Sequence, residues 1–461
     1  LDIYWSSATC WRFWFAFKSC CLTPLIKYYL SPMTNHLAFL ATCDLVAQVR
    51  GRSLDSENLI KNQKNVGWVP ADLSLTSLGF IADPEPFGSF GDIRLTPIAD
   101  TKVIFSPTDI NGKKLEFYLT RIVNPDGSIW RCDPRSALEK AVSKLKEEFG
   151  LELYSSFEHE FTLTGENLRT GKPFGFDSFR GVENFGNQLF FEAKEMGLEP
   201  ENWLPEYGAG QFEITLRPAP ALIAGDRAII LRELVKDLAL HHDLKASFVP
   251  IPNIDSVGNG VHVHLSLWKD GKPVSFDENE PGNLSKLMAS GCAGILKHID
   301  SILTWSAPSQ ISFIRLKPHK WSAGIKEIAV QNREAILRIC PVNRVSNADP
   351  STSFNVEFRA ADATANPWLV LAALINGMIS GISEKLIPTR ILDGAIEGRE
   401  DLAELPLTLE DAIAGFKKDT VAQSWFDSVL VETHLAIRNA EFKALANLND
   451  DEKCRRYALV Y

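Results

Sequence analysis

Polar and apolar residues alternate along four short stretches of the chain, which predicts four strands that each have one polar face. In residues 258–267 (GNGVHVHLSL) the valines and leucines point to one side, whereas His262, His264 and Ser266 point to the other. Three further stretches place polar groups on one face in the same way: Glu158 and Glu160; Gln211, Glu213 and Thr215; Glu357 and Arg359. The apolar faces predict a packed core, and the polar faces predict a chemical site.

Residues 33–131 contain short strand-like stretches separated by turns. Branched and aromatic residues predict strands at 43–52, 93–97, 102–105 and 117–123, and the sequence NPDG at 124–127 predicts a hairpin turn. The proline and glycine content of residues 83–91 predicts a loop. We therefore expect a small, mostly β N-terminal domain.

A helix start marks the predicted domain boundary. Asp133 can cap this helix, Pro134 suits its first position, and Gly150 ends the apolar repeat. Residues 132–461 are predicted to form the second domain, with further helices at 226–242 and 367–382. The last of these is almost entirely apolar but too short to span a bilayer, so we expect a buried core helix and no membrane partner.

Composition narrows the class of protein. With 461 residues, of which 45% are hydrophobic and 23% charged, the chain is long enough for two globular domains. Its formal net charge of -10 argues against a nucleic-acid partner, which would require a basic surface. The eight cysteines have neither metal-ligand nor disulfide spacing, which is typical of a reducing, cytoplasmic compartment.

Residues 1–32 differ from the rest of the sequence. They are rich in Trp, Phe, Tyr and Cys, but Arg12, Lys18 and Lys27 interrupt them, so there is no run of about 18 apolar residues. We interpret this stretch as a non-native or leader-like extension, with Met33 as the start of the globular protein, and we exclude it from the fold.

Carboxylates and one imidazole form a possible metal-binding set. Its six members are Glu158, Glu160, Glu206, Glu213, His262 and Glu357. Oxygen-rich sets without cysteine favour hard cations such as Mg²⁺ or Mn²⁺. Five carboxylates cannot crowd together without cations, because like charges and burial both disfavour ionisation. Two divalent ions in such a set could hold a phosphoryl group during its transfer.

Four arginines could spread the charge that develops on such a phosphoryl group: Arg315, Arg333, Arg338 and Arg359. Each of them alone fits an ordinary ion pair equally well. The five-residue separation of Arg333 and Arg338 would place them on opposite faces of a regular strand. Gly258 and Gly260 fit a close approach of the backbone to a ligand, although neither a phosphate loop nor a dinucleotide fingerprint is present in the sequence.

Seven motifs, taken in order and at suitable intervals, resemble the glutamine synthetase family, type I-like, from about residue 33 to the C-terminus. The motifs are Asp133 with Arg135; Glu158 with Glu160; Glu206 with Gly210 and Glu213; the stretch 258–266; Arg315 with Pro318; Asn332 and Arg333 with Arg338; and Glu357 and Arg359 followed by Ala365, Asn366 and Pro367. In character the chain is similar to the γ-glutamyl-polyamine and γ-glutamyl-amine synthetases of that family.

The resemblance implies an α+β fold with an N-terminal β-grasp domain at 33–131 and a catalytic domain at 132–461, built on a curved antiparallel sheet with helices. It also implies two metal ions per site. Glu160, Glu206 and Glu213 would bind the ion near the acceptor, and the ion on the ATP phosphates would have three other ligands: Glu158, His262 and Glu357.

The same resemblance implies the substrates and their contacts. ATP would phosphorylate the γ-carboxylate of glutamate, and an amine or ammonia would then displace the phosphate. Glutamate would contact Gly258, Arg315 and Arg359, whereas the nucleotide and its phosphates would face His264, Ser266, Arg333 and Arg338. Three of these arginines, Arg333, Arg338 and Arg359, would be catalytic. The sites would form in a homo-oligomer of two stacked rings, commonly a dodecamer.

Two departures from the family pattern provide information about the size of the amine substrate and the binding of the amino acid. Where ammonia-using members carry a glutamate in the ammonium pocket, this chain has Trp321, and Asp72 is the possible counterpart of a second acidic residue. An aromatic side chain can pack against an alkyl or aryl amine, so Trp321 is expected to bind a substrate larger than ammonium. Val257 replaces the family asparagine before Gly258, which removes one contact to the amino acid.

These features favour an ATP-dependent ligase that joins a polyamine or monoamine to glutamate, with glutamine synthesis from ammonia as the alternative. A metal-dependent amidohydrolase is an alternative from another class, because a His-x-His strand with carboxylates also describes that chemistry. The excess of glutamates over histidines disfavours it. A non-catalytic scaffold is disfavoured because a competent side chain fills every metal-ligand position.

Overall fold

The structure is a computed structural model that describes residues 37–59, 64–105, 114–166, 168–317, 322–345, 348–394, 399 and 401–461. The extension predicted at 1–32 lies outside the described residues. Within them the chain forms two sheets, of six and eleven strands, and a set of helices that pack against the larger sheet. The predicted α+β architecture is confirmed.

The N-terminal sheet has the strand order β2-β1-β6-β4-β3, with β5 on β6. Strands β1 and β6 run parallel, and the other neighbours are antiparallel. Its strands are β1 (Leu37–Cys43), β2 (Val49–Asp55), β3 (Val66–Trp68), β4 (Ile93–Pro97), β5 (Val103–Phe105) and β6 (Leu115–Val123). Three predicted strands are thereby confirmed, and the predicted hairpin turn follows β6, where the Gly127 N–H donates to the Asn124 carbonyl.

The predicted strand at 43–52 is wrong, because a turn over residues 44–48 divides it. One carboxylate oxygen of Asp44 accepts hydrogen bonds from the N–H groups of Val46 and Gln48, at 2.9 and 2.8 Å. Local bonds of this kind offer the backbone an alternative to the sheet ladder, and they reverse the chain here. Strand β1 therefore ends at Cys43 and pairs with β2 as a hairpin.

The first long helix begins and ends as predicted. Helix α1 (Pro134–Phe149) has Asp133 as its N-cap, whose carboxylate accepts from the Ser136 N–H. Gly150 follows it in the left-handed conformation, with φ of 67°. Glycine adopts that conformation without the steric cost that a side chain would add, so it ends the helix.

The larger sheet carries the polar strands. Its order is β17-β14-β15-β16-β12-β7-β9-β8, with β10 and β11 on β7 and β13 on β12. Its central pairs are antiparallel, whereas β14 pairs in parallel with β15 and β17 at one edge. The strands are β7 (Leu151–Thr164), β8 (Pro200–Pro205), β9 (Gln211–Leu216), β10 (Ala219–Pro220), β11 (Lys245–Ser247), β12 (Val261–Lys269), β13 (Lys272–Pro273), β14 (Ile325–Val330), β15 (Ala335–Ile339), β16 (Val356–Phe358) and β17 (Leu392–Asp393).

Further helices pack against this sheet or against other helices. They are α2 (Phe176–Gly181), α3 (Glu183–Glu195), α4 (Ala221–His241), α5 (Lys286–Lys297), α6 (Ile299–Ser306), α7 (Ser312–Arg315), α8 (Pro350–Ser353), α9 (Pro367–Ser383), α10 (Leu409–Lys418), α11 (Thr420–Gln423), α12 (Ser428–Leu445) and α13 (Asp450–Ala458). Helix α9 is buried along almost its whole length, as predicted. No described helix is both long and apolar enough to cross a membrane.

Helix α4 begins five residues before its predicted start at Asp226. The carboxylate of Asp226 does not cap a helix. Instead it accepts two hydrogen bonds from the Arg135 guanidinium, at 2.9 and 2.8 Å, and one from the Trp368 indole, at 2.8 Å. These buried bonds tie α4 to α1 and α9.

Buried polar side chains also join the two sheets. The Arg232, Asn366, Arg438 and Tyr461 side chains all donate hydrogen bonds to backbone carbonyls of residues 43–47, in the turn after β1. Because these donors are buried, losing an acceptor would leave them unsatisfied. The N-terminal sheet is therefore held firmly against the larger domain.

We predict that Asp226→Ala lowers the free energy of unfolding by about 1–3 kcal/mol, because it removes the acceptor of three buried hydrogen bonds and leaves the Arg135 guanidinium with Glu139 as its remaining partner. Urea unfolding would measure the loss. As a control, Glu152→Ala breaks the exposed Lys146–Glu152 pair, whose side chains are 47% and 42% exposed, and should cost less than about 1 kcal/mol. Equal losses in the two variants would contradict the assignment.

Candidate active site

Strand register brings the predicted site residues together. Glu158 on β7 lies opposite His262 on β12, and Glu160 on β7 lies opposite Glu213 on β9. Glu357 on β16 pairs across to β12 and β15. Residues directly opposite each other in an antiparallel pair point to the same face, so these side chains share one side of the sheet. The predicted polar face is therefore built by pairing between distant segments.

These side chains line a cavity of about 400 Å³. All six predicted metal ligands line it, together with Gly258, Arg315, Arg333, Arg338 and Arg359. His264 and Ser266 line a neighbouring cavity of about 240 Å³, and Glu158 lines both cavities. The residues that the resemblance assigns to metal, glutamate and nucleotide are thus contiguous.

The surroundings of one group of carboxylates favour their protonated form. Burial, with Glu158 and Glu160 adding repulsion, raises the pKa of Glu213 to about 10. Burial and the neighbouring Glu160 raise the pKa of Glu206 to about 7. A divalent cation bound among these oxygens would favour their ionised form, so the donor set fits a hard metal ion.

Histidine and arginine side chains stabilise the ionised form of the second group of acids, Glu158 and Glu357. Although burial opposes ionisation, His264 and His262 lower the pKa of Glu158 well below its ordinary value. Burial is likewise outweighed at Glu357, where His262 and Arg359 hold the pKa at about 2. These two carboxylates are therefore ionised at neutral pH.

Both histidines of the β12 strand contact these acids. His262 Nδ1 lies 3.4 Å from Glu158 Oε2 and 3.3 Å from Glu357 Oε1. His264 Nε2 lies 2.9 Å from Glu158 Oε1, and one ligand atom each of Glu158, His264 and Glu357 fall within 4.8 Å of one another. In this arrangement His264 is grouped with Glu158 and Glu357 as a possible metal site, whereas the resemblance assigned His262 to that role.

The arginines converge on the same cavity. Arg338 Nη1 donates to Glu357 Oε2 at 2.7 Å, and Arg359 pairs with the other oxygen of Glu357. Arg315 is only 2% exposed and donates to the Ala361 carbonyl at 2.8 Å. Arg333 and Arg338, which a regular strand would place on opposite faces, both line the cavity, because Arg333 precedes β15.

Gly258 and Gly260 are needed for close packing within the protein. A Cβ atom on Gly258 would lie 2.5 Å from Arg315 Cγ and 2.6 Å from the Pro250 carbonyl oxygen. A Cβ atom on Gly260 would lie 3.0 Å from His262 Nε2. The close neighbours of these glycines are thus predicted site side chains and backbone, and this packing positions Arg315 and His262.

Other residues at the site carried little signal in the sequence. The Gln211 amide donates to Glu160 at 3.1 Å and to the Gly258 carbonyl at 2.9 Å, so it links two strands of the site. Its place on the polar face of β9 was the available clue. The Cys340 thiol lies 3.9 Å from His264 Nδ1, and Phe174 and Tyr207 line the cavity from loops without a repeating pattern.

Of the two residues expected at the amine pocket, the structure describes Asp72. Trp321 lies outside the described residues. Asp72 lies in a 3₁₀ turn, Pro70–Ser74, of the N-terminal domain, and it does not line the described cavity of the same chain.

Comparisons with known proteins agree with this architecture. Family profiles described as the glutamine synthetase N-terminal domain and the glutamine synthetase catalytic domain match residues 31–130 and 131–457. Type-1 glutamine synthetase 1 of Dictyostelium discoideum is 30% identical over 463 aligned residues, which cover 93% of this chain and 91% of that protein. Gamma-glutamylpolyamine synthetase GlnA3 of Streptomyces coelicolor is 26% identical, with coverages of 85% and 84%.

A solved structure described as a novel glutamine synthase homolog superposes with a TM-score of 0.86 at 37% identity, covering 93% of this chain and 99% of that one. The chain therefore belongs to the glutamine synthetase family. It is an ATP-dependent carbon–nitrogen ligase that joins glutamate to an amine or to ammonia and uses a divalent metal. This assignment replaces the amidohydrolase and scaffold alternatives.

We predict that Glu213→Gln changes how stability depends on pH. A carboxyl whose folded-state pKa lies above its unfolded value favours folding at low pH, and this contribution is lost as pH rises toward the folded pKa. The metal-free native protein should therefore lose up to about 1.4 kcal/mol per pH unit relative to Glu213→Gln between pH 6 and 8.

Thermal unfolding with and without Mg²⁺ would measure this difference. Mg²⁺ should stabilise the native protein more at pH 8 than at pH 6, because it competes with protons for the same oxygens. It should stabilise Glu213→Gln much less. An unchanged response to Mg²⁺ in the variant would remove Glu213 from the metal site.

Proposed function

We propose that this ligase joins the γ-carboxylate of glutamate to an organic amine larger than ammonium, through a γ-glutamyl phosphate intermediate. The main support is the convergence of five carboxylates, an imidazole and four arginines on one cavity. Such a set can balance the charges of a triphosphate, an amino acid and divalent ions together.

We infer two metal positions, filled by Mg²⁺ or Mn²⁺. Glu160, Glu206 and Glu213 would hold one ion, and the other would be held by Glu158, His262 and Glu357. The raised pKa values of Glu206 and Glu213 support the first position, because a nearby cation would favour the ionised form of both groups. When bound, such ions withdraw charge from the transferring phosphoryl group.

The remaining polar residues would position the substrates. Arg315, Arg359 and the backbone of Gly258 would bind glutamate, and Arg333 and Arg338 would neutralise charge on the phosphoryl group. His264 and Ser266 would face the nucleotide. In the cavity that they line, the rings of Tyr154 and Trp268 lie 4.6 Å apart between centroids, which supports an aromatic surface for the base.

The reaction then proceeds in two balanced steps. A γ-carboxylate oxygen of glutamate attacks the terminal phosphorus of ATP, and the bond to the leaving ADP oxygen breaks. The neutral amine nitrogen next attacks the acyl carbon, and inorganic phosphate leaves with the former carboxylate oxygen. The amine loses one proton on forming the amide, and an ammonium substrate must give up another beforehand.

The identity of the amine rests on the departures from the family pattern. Trp321 stands where an acidic residue would favour ammonium, and the relative from Streptomyces coelicolor is named for polyamine ligation. Ammonia is the second candidate, because the relative from Dictyostelium discoideum is named a glutamine synthetase. Val257 affects the binding of the amino-acid substrate, because it replaces the family asparagine and removes a polar contact beside Gly258.

We extend the proposal to a cytoplasmic homo-oligomer of stacked rings. The five cysteines of the described chain are free, and four of them are buried, which suits a reducing compartment. The ring assembly rests on the family resemblance and can be tested by light scattering on the purified protein.

We predict that putrescine, ethanolamine or a similar amine supports faster phosphate release than ammonium, in the presence of glutamate, ATP and Mg²⁺. An aromatic side chain such as Trp321 gains contact with an alkyl group, but it offers ammonium no carboxylate. Phosphate release across an amine panel, with the product identified by mass spectrometry, would test this. Efficient turnover with ammonium and none with larger amines would overturn the assignment.

We predict that Glu213→Ala lowers kcat by about 100-fold or more while the fold is retained, because one of three carboxylates at a metal position is lost. Steady-state kinetics and circular dichroism would measure both properties. Glu195→Ala, on the exposed side of α3, is the matched control and should behave as the native enzyme. Native-like activity of Glu213→Ala would exclude it from the site.

A further inference from the structure

We propose that Phe174, Leu204, Tyr207 and Val257 form an apolar subsite that selects a monoamine with a hydrocarbon substituent over a diamine or polyamine. This inference rests on the proposed function, because it concerns the amine of the same reaction. It distinguishes monoamines from polyamines, between which the sequence analysis did not choose.

The subsite lies at the acceptor end of the cavity. All four residues line the cavity, and Tyr207 directly follows Glu206, whose carboxylate accepts a hydrogen bond from the Tyr207 N–H at 3.1 Å. Leu204 on β8 lies opposite Glu213 on β9. Tyr207 and Leu204 therefore lie beside carboxylates that the proposed function places near the acyl group.

Two aromatic rings form the outer part of this wall. The rings of Phe174 and Tyr207 lie 6.5 Å apart between centroids, at an interplanar angle of 57°. They are 60% and 50% exposed, so part of each residue is in contact with solvent. The Phe174 N–H donates to the Glu206 carbonyl at 3.4 Å, which ties the two loops together.

The backbone of Phe174 is held in an unusual conformation. Its φ is 53°, in the left-handed region that phenylalanine rarely adopts. The adjacent Gly175 N–H donates to the Lys172 carbonyl at 2.9 Å and precedes helix α2. Conformations of this kind persist where surrounding structure imposes them, and they concentrate at ligand sites. The loop thus holds an exposed apolar ring at the cavity mouth.

The charges of the cavity disfavour a second ammonium group. Its described lining contains five carboxylates, all of them predicted metal ligands, and no further acid that could pair with a distal amine. Four arginines line the same cavity and would repel a second cation. A methyl group at that position would instead gain contact with the rings and with Leu204. The same wall therefore attracts one class of amine and rejects the other.

A matched pair of amines tests this inference. n-Pentylamine and putrescine have the same number of non-hydrogen atoms, and a terminal methyl group in one replaces an ammonium group in the other. We expect kcat/KM for n-pentylamine to exceed that for putrescine by about 10-fold or more, which is typical of discrimination by a single group. Product mass spectrometry would confirm amide formation with each amine.

Substitutions in the subsite test which residues determine the preference between the two amines. Phe174→Ala should raise KM for n-pentylamine and reduce the preference toward unity, whereas Phe191→Ala, which removes a 62%-exposed phenylalanine on α3, should keep the native preference. Tyr207→Glu supplies the missing carboxylate and should shift the preference toward putrescine. This variant keeps the test decisive if Phe174→Ala fails to fold.

Hydroxylamine separates the two proposals. Formation of γ-glutamyl hydroxamate that requires ATP and glutamate would support the proposed acyl activation. If hydroxamate forms but putrescine is preferred, or if Phe174→Ala and Tyr207→Glu both keep the native preference, the apolar subsite is wrong and the ligase assignment stands. If no ATP-dependent hydroxamate forms, the proposed function fails and this inference fails with it.

Discussion

Mutual repulsion among buried carboxylates is the constraint on which the rest of the structure depends. The pairing of β7 with β9 places Glu160 directly opposite Glu213, which is buried, whereas Glu160 is half-buried. Burial and repulsion from Glu158 and Glu160 raise the pKa of Glu213 to about 10, so without cations these acids do not all ionise at neutral pH. Binding of divalent ions is therefore coupled to the protonation of this face. The strand register brings these acids together, and their proximity favours the binding of a metal ion.

A second set of interactions holds the machinery in place around these acids. Glu357 is shared by Arg338 and Arg359, and Gln211 connects β9 to the loop at Gly258. The glycines of that loop allow Arg315 and His262 to approach the backbone closely. Rigid supports of this kind keep charged groups oriented before substrate binds, which is how preorganised sites lower a barrier. The hydrogen bond from Arg315 to the Ala361 carbonyl and the ion pair of Arg359 with Glu357 also explain how these two arginines remain buried without disrupting the fold.

The proposed apolar subsite would separate the choice of nucleophile from the activation of the acid. In the proposed function, the carboxylates and arginines of the sheet act in phosphoryl transfer, whatever amine follows. Phe174 and Tyr207 line the same cavity from loops, so substitutions there would change the amine that binds without disturbing the strand register. Specificity and catalysis would then depend on separate parts of the cavity. This division fits a family in which the named relatives include ligases for ammonia and for polyamines.

The sequence by itself determined the features that depend on local periodicity. Alternation along β12 predicted which of its side chains face the site, and Asp133 with Gly150 predicted the bounds of α1, because strand and helix geometry repeat over a few residues. Only the tertiary structure decided which acids meet, that Arg333 joins Arg338 from a loop, and that Asp44 turns the chain after β1. Register and loop conformation arise from contacts between distant segments, and local periodicity does not encode those contacts.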